Sequence, residues 1–579
     1  MPLNKPENAA FPLHSDADTD VLLPLMEGLL DAFEPLHRLS GSVDAERAAD
    51  SLIEQLSALG LTPRREICPL LLSDPVLGTL ELPDFPHWQA SAKTRSFSAH
   101  CPEGIAGPLY YDSRSQETLP DSELAAWQNT VRGRIVVADR GLEDYVQQLC
   151  RAGALGLVHI WGSAEEALHE ETVGPIWGTP VPDDGIRYPS LPVVCINQRQ
   201  GRSLLENLDR QAHPVTARLV TRLNVHVVDC SLPVVDIPGE IDEFVLLSSH
   251  YDSWHQGLTD NATGNALCLA MAAWFHRSPQ MKRGLRIAWW PGHSNARYGG
   301  STWYADRYRE ELQQKCIAHI NVDSPGCKDA TEVVVNASGA ESFDFLNQAI
   351  IHETGTAARR ITPLGKGGDQ SFWGCGIPLH FAFRVEPGIR TSHSPGSGGG
   401  WWWHTEADTR DKVDTCLLLR DCRIHTRWLA QLLYKVCLPL DPGGYLERLT
   451  EELDRLQSAL DPQFDLSPVR DALLALQQQV KDLGRWQDCG ARQEEIKQAI
   501  ALWHRVRYSS TDDFHYDYSY HGGAFPGLQL LRDRFHHNTS AATFLMLATQ
   551  FTRQRSRALS LLMQSAHVLR VCSGPDYSQ

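Results

Sequence analysis

The sequence predicts an α/β protein built on a doubly wound, mostly parallel sheet, with a small α/β insert ahead of it and a helical domain behind it. Three observations lead there. Near-continuous apolar runs recur at residues 244–249 (FVLLSS), 285–290 (LRIAWW), 318–322 (AHINV) and 379–383 (LHFAF), and runs of this kind are strands buried on both faces. Helical stretches at 262–275 and 342–354 lie between them and give the β-α-β rhythm of a doubly wound sheet. Beyond about residue 439 the pattern changes to charged amphipathic helices.

Taken in chain order, residues 20–61 carry apolar residues at helical spacing, broken at Ser40-Gly41-Ser42, so two helices with a turn are expected. A Pro-rich, aromatic stretch follows. Residues 132–141 (RGRIVVADRG) give a short strand, 142–151 a helix and 154–160 a second strand; after Pro189 a further strand leads into a helix through Leu204. This block is the insert. A new alternation starts near Thr221 and carries the main sheet. Helices are expected at 445–460 and 468–483, with another pair from Gly527 onward. The expected division is 1–94 (N-terminal helices and lead-in), 95–222 (insert), 223–438 (main α/β domain) and 439–579 (helical domain).

Size and charge narrow the function. A chain of 579 residues implies two to four domains. Its 53 Lys+Arg against 71 Asp+Glu give a net charge of −18, with the acids spread along the chain, which argues against nucleic acid or an anionic membrane as partner. The first apolar run, 21–30, is interrupted by Pro24 and Glu27 and follows no basic segment, so it reads as neither signal peptide nor span. The 14 cysteines are scattered without a C-x-x-C pair, which fits reduced thiols and a cytoplasmic location. No P-loop or strand-borne G-x-G-x-x-G indicates a nucleotide cofactor.

Chemistry-bearing residues follow the apolar runs. They are His250 in SSHYDSW, Asp260 in LTDNATG, Asp323 in INVDSPG and His404 in WWWHTEADT. Strand ends of a parallel sheet converge on one rim, so residues distant in sequence can meet there. Imidazole and carboxylate donors in this mix suit one or two divalent ions, zinc first, with manganese, cobalt or iron as alternatives. Asp252, two residues beyond His250, is placed to take the second ring N–H of a liganding imidazole or to hold a nearby loop. Any one of these residues alone is more often a cap or turn residue; the set is what carries the reading.

The motifs His250-Tyr251-Asp252-Ser253-Trp254, Asp260-Asn261-Ala262-Thr263-Gly264, Asn321-Val322-Asp323 and His404-Thr405 with Asp408-Thr409 resemble the co-catalytic zinc peptidases that include bacterial aminopeptidases and glutamate carboxypeptidase II. Residues 95–222 look like the protease-associated domain of that family, and the segment after Phe525-Pro526-Gly527 is similar to the helical dimerisation domain of the glutamate carboxypeptidase and transferrin receptor branch, which implies a homodimer. The resemblance implies that His250, Asp260 and Asp323 hold one ion and that Asp260 and His404 hold part of another. It also implies a W-x-G-E-E segment, whose first glutamate is the general base and whose second completes the second ion's ligands.

Residues 289–301 (WWPGHSNARYGGS) contain no glutamate. His293 falls at the position of the base and Ser294 at that of the ligand, with one extra residue before Gly300. Three readings stay open: His293 as a ligand of the second ion, His293 as the base, or a single-ion or non-catalytic homologue. Arg384 and Arg390 are candidates for a substrate carboxylate. Trp403, with Trp401 and Trp402, is a candidate pocket wall or a packing surface against the insert, and Asp369 in GGDQSFW resembles a segment near the family's metal crevice. The expected activity is cleavage of an amide or peptide bond in a small molecule or short peptide. A metal-dependent lyase, a non-peptide amidohydrolase and a non-catalytic binding homologue are its rivals.

Overall fold

The computed structural model describes residues 16–117, 119, 121–211, 213–388, 399–483, 490–518, 523–532 and 539–571. Its strands run β1 (Arg64–Glu81), β2 (Lys93–Thr94), β3 (Cys101–Tyr111), β4 (Ile135–Ala138), β5 (Gly156–Ile160), β6 (Val193–Ile196), β7 (Thr216–Ile237), β8 (Phe244–His250), β9 (Gly284–Trp290), β10 (Cys316–Val322), β11 (Glu332–Ala337), β12 (Arg360–Pro363) and β13 (Leu379–Glu386). They join in the order β12-β11-β13-β10-β8-β9-β7-β3-β4-β5-β6-β2, with β1 paired to β7. β13, β10, β8 and β9 are mutually parallel and fully or almost fully buried, as their unbroken apolar runs require. The fold is therefore a mixed α/β architecture with a large, mostly parallel sheet and a helical C-terminal region.

β7 joins the two α/β units. One stretch of it pairs with β3 of the insert and another with β9 of the main sheet, so residue 222 lies inside a continuous strand. Nothing in the periodicity signals its partner β1, whose run contains Pro69 and Pro75 and shifts register between Pro75 and Leu77. Such a strand tolerates proline because it has a neighbour on one side only. In the C-terminal region the structure corrects the expected pair of helices after Gly527: one turn, Pro526–Gln529, precedes a single helix, Ala541–Val571, and a helix at Gly490–Tyr508 was not expected. The helix Thr263–Arg277 leaves the rim of β8 and is buried along nearly its whole length. No helix among the described residues is long and apolar enough to cross a membrane.

Candidate metal centre

His250 is the last residue of β8 and is 1% exposed. Its Nδ1 lies 2.9 Å from the Asp252 carbonyl oxygen, so that nitrogen carries the proton and donates it. Nε2 then presents a lone pair to Asp260 Oδ1 at 3.2 Å and Asp323 Oδ1 at 3.6 Å. Both His250 Nε2 and Asp260 Oδ1 are buried without a hydrogen-bond partner. Three electron-rich atoms facing one another in a buried site favour a positive charge between them, either a proton or a metal ion. Burial alone would lower the His250 pKa, but Asp252, Asp260 and Asp323 outweigh it and drive it well above the usual value; burial likewise resists ionisation of Asp260, yet His250 and His404 hold it well below the carboxylate range. A divalent ion satisfies the same lone pairs, so these residues fit a metal.

Asp260 is held by residues that the sequence reading left without a role. The Asp408 carboxylate accepts from Thr259 N (2.9 Å), Thr259 Oγ1 (2.8 Å) and Asp260 N (3.0 Å), and burial pushes its pKa up to about 7. Asn261, joined to Asp260 by a cis peptide bond, donates to Ser249 Oγ and Val322 O and accepts from the amides of Gly264 and Ser324. One side chain thus ties the ends of β8 and β10 to the start of the helix. Arg38, fully buried, donates to the carbonyls of Tyr251, Gln256 and Gly257 and fixes the loop that carries Asp252. No sequence pattern marks Arg38, because its partners are backbone atoms more than two hundred residues away.

The second histidine of the set is positioned by the insert. His404 Nε2 lies 3.1 Å from Asp260 Oδ2, and its Nδ1 donates to Glu170 O at 3.0 Å while Glu170 N donates back to His404 O at 2.9 Å. His404 has φ +58°, a left-handed conformation that a non-glycine residue adopts only when its surroundings hold it there. Trp403 stacks on its ring at 3.5 Å and packs with Trp161 of the insert, which is the packing alternative for that tryptophan. Trp402 donates to Thr259 Oγ1 at 3.0 Å, and Lys412 lies 5.9 Å from the Trp401 ring.

His293 lies on the other side of His250. Its Nδ1 is 2.7 Å from Asp369 Oδ2, and Asp369 Oδ1 accepts from Ser301 Oγ at 2.7 Å. The loop is pinned by Asp252, whose carboxylate accepts from the amides of His293 (3.2 Å) and Ser294 (3.0 Å). Asp252 thus serves His250 through its backbone carbonyl and not through the carboxylate expected to take the ring N–H, while the carboxylate holds the loop. Donor atoms of His250, His293 and Asp323 converge within 4.8 Å. Spacing alone would admit His293 as a ligand of the same ion, but ring orientation does not. The two imidazoles stack with centroids 3.7 Å apart and planes inclined by 9°, and a nitrogen lone pair lies in its own ring plane, so both cannot point at one ion.

Arg384 lies on β13 and donates from Nε to Asn336 Oδ1 at 2.8 Å, while Arg390 lies outside the described residues. Of the sequence-predicted residues, the structure brings His250, Asp252, Asp260, Asp323, His293 and His404 together.

Residues 234–423 match the sequence model of Peptidase family M28. That span contains all six of these residues. Among curated proteins the chain is 24% identical over 347 residues to the probable glutamate carboxypeptidase VP8 of Zea mays (49% of this chain, 48% of that protein) and 24% identical over 283 residues to the aminopeptidase NAALADL1 of Mus musculus (42% and 37%). The chain thus spans about half or less of the length of the curated relatives it matches. Among solved structures it is similar to an aminopeptidase from Aneurinibacillus sp. strain AM-1 (19% identity, TM-score 0.54, 72% of this chain and 96% of that one). It is also similar to a peptidase M28 precursor from Shewanella amazonensis (17% identity, TM-score 0.55, 74% and 99%) and to BSAP, a zinc aminopeptidase from Bacillus subtilis (18% identity, TM-score 0.54, 72% and 95%). At these identities the structural likeness is one of fold. In matched sequence region and in fold the chain is metallopeptidase-like.

Proposed function

We propose that the chain is a metal-dependent hydrolase that cleaves an amide or peptide bond of a small molecule or short peptide, with the His293–Asp369 pair standing where relatives place a carboxylate base. The observation that carries this reading is the meeting of buried, unpartnered acceptor atoms on His250 and Asp260 next to an imidazole–carboxylate pair. His250, Asp260 and Asp323 would hold a divalent ion, zinc by analogy with BSAP and manganese, cobalt or iron as substitutes, which would supply Lewis acidity and lower the pKa of a water. The chain's own residues do the rest. Asp369 accepts the hydrogen bond of His293 Nδ1–H and so fixes its tautomer, leaving Nε2 to accept a proton from the attacking water and return it to the leaving amine. Asp252 holds the loop so that the ring stays against His250. Arg384 is proposed to meet a substrate carboxylate, and Trp403 to close the wall beside His404.

Residues 95–222 are proposed to act as a protease-associated domain, since Glu170 reaches a proposed ligand, and the C-terminal helices to form a homodimer in the cytoplasm. Leu545, Met546 and Met563 on the helix Ala541–Val571 are two-thirds exposed, which favours a partner there. The test is His250→Ala. It is expected to lose both bound metal and turnover on a panel of aminoacyl and acyl-amide substrates, and full turnover by metal-free protein would refute the proposal.

A further inference from the structure

We infer that the insert positions the base: Glu143 and Trp177, both within residues 95–222, hold the loop that carries His293, so that losing either contact lowers turnover through His293. The inference rests on the proposed reading of His293 as the base. Both segments that make the His293–Asp369 pair are irregular, 291–298 after β9 and 364–370 after β12. A misplacement of about 1 Å at a reacting group can cost about 10²-fold in rate, so what braces these segments bears on catalysis.

Asp252 anchors only the first half of the His293 loop, through the amides of His293 and Ser294. The second half folds back on the first: Tyr298 N–H donates to His293 O at 3.2 Å and Gly299 N–H to Gly292 O at 2.7 Å. That return passes through two consecutive left-handed residues, Arg297 (φ +50°) and Tyr298 (φ +61°), in the stretch where the chain carries its extra residue before Gly300. Non-glycine residues stay in this conformation only when outside contacts hold them. The contacts come from the insert. Arg297 forms an ion pair with Glu143, and each is only 1% exposed. Gly178 N–H donates to Arg297 O at 2.7 Å. The Trp177 ring lies 5.0 Å from that of Tyr298, and the Tyr298 ring lies 5.0 Å from that of His293, inclined to it by 70°. Trp177 is braced in turn from the C-terminal region: its Nε1 donates to Asp517 O at 2.8 Å, while the Asp517 carboxylate pairs at 2.7 Å with Lys366, on the segment that carries Asp369. Removing the Glu143 charge strands a buried guanidinium and weakens what opposes relaxation of the left-handed turn. His293 is joined to Tyr298 by its carbonyl and by its ring, so it moves with that turn.

The experiment is a double-mutant cycle on the zinc-loaded full chain, assayed with the panel of aminoacyl and acyl-amide substrates. Glu143→Gln is expected to lower kcat about 10–100-fold, with KM and zinc content within about twofold of the wild type. In the His293→Ala background the same substitution is expected to change the residual turnover by less than about twofold, because its effect passes through a side chain no longer present. A merely structural role would lower turnover alike in both backgrounds. Trp177→Leu strands no charge and repeats the cycle from the second contact, so the inference stays open to refutation where Glu143→Gln misfolds; the same pattern with a smaller fall is expected. Equal losses in the two backgrounds, or wild-type kcat in both Glu143→Gln and Trp177→Leu, would overturn the inference and leave the base reading intact. Wild-type turnover in His293→Ala, or no turnover by the wild type on any substrate of the panel, would remove the base reading first and the inference with it.

Discussion

At the carboxyl rim of the sheet, His250, His293 and His404 sit among Asp252, Asp260, Asp323 and Asp369, whereas on the side facing the C-terminal helices His319, His380 and His504 sit among aromatic rings and one another. The two groups share strand β10, which carries His319 in its middle and delivers Asp323 just past its end. Carboxylates and burial together create a demand for a cation at the rim. Burial with no carboxylate at the ring nitrogens does the reverse: Glu341, the buried acid on that side, accepts from the His380 amide and not from its ring. His319 is driven down to about 3 and His504 to about 4, and burial pushes His380 well below the usual value with help from its two neighbours. The same residue type thus marks a metal site on one side and neutral packing on the other, and the nearest carboxylate decides which.

The largest expected effect breaks the neutral group. His319 and His504, with His425 on the helix Thr415–Tyr434 at about 4, have folded pKa values below the value of about 6.5 for an unfolded chain. Their contribution to stability is complete above pH 6.5 and is lost as pH falls toward the folded values, because the unfolded chain takes up protons first. At pH 4.5 each histidine costs roughly 2–3 kcal/mol. Burial also raises Asp408 and Glu341 to about 7 and Asp421 to about 6, which works in the opposite sense over the same range, so urea midpoints from pH 7.5 to 4.5 are compared between the wild type and a variant lacking one histidine. His504→Gln, which removes one titrating group, should flatten the slope by about 1.4 kcal/mol per pH unit; an unchanged slope would mean that His504 is not neutral in the fold.

A second prediction sharpens the rim. His293→Ala should lower kcat by about 10²–10⁴ while leaving an ion held by His250, Asp260 and Asp323 in place, as expected of a proton-transfer group. Asp369→Asn should lower kcat less and shift the acid limb of its pH profile, since it keeps a hydrogen bond but withdraws the charge that supports the imidazolium. Loss of the ion in His293→Ala would restore the ligand reading against the ring geometry.

How much of this was legible beforehand follows from the kind of contact involved. β8, β9, β10 and β13 announce themselves because strands buried on both faces are predominantly apolar, and His250 and Asp323 become visible as the polar residues where two such runs stop, with Asp260 in the turn into the next helix. His404 could be found by motif, but not the carbonyl of Glu170 that orients it, since a backbone acceptor carries no residue signature. The pairing of His293 with Asp369 spans 76 positions and left a trace only in the GGDQSFW segment, where a turn role was equally consistent. β1 stayed hidden because Pro69 and Pro75 and the irregularity after Pro75 break its alternation and read as loop, and Arg38 because it bonds only to carbonyls.

The smallest effect tests the hinge between the two histidine groups. Asn261 ties Ser249 at the end of β8 to Val322 and Ser324 around the end of β10, and Gly264 sits against it so closely that a Cβ there would lie 2.1 Å from Asn261 Oδ1 and 2.8 Å from Ser249 Oγ. Gly264→Ala has no strained backbone to relieve, so the whole cost is displacement of Asn261 and of the bonds it makes, about 1–3 kcal/mol. Because Asn261 adjoins Asp260, thermal stability and zinc affinity should fall together. His504→Gln, on the far side of the sheet, should change stability and leave zinc affinity alone. Gly365→Ala, where an added Cβ meets nothing within 4 Å, is the control and should change neither by more than about 0.5 kcal/mol. A Gly264→Ala variant that lost stability but bound zinc as tightly as the wild type would uncouple the packing of the strand ends from the shape of the metal centre.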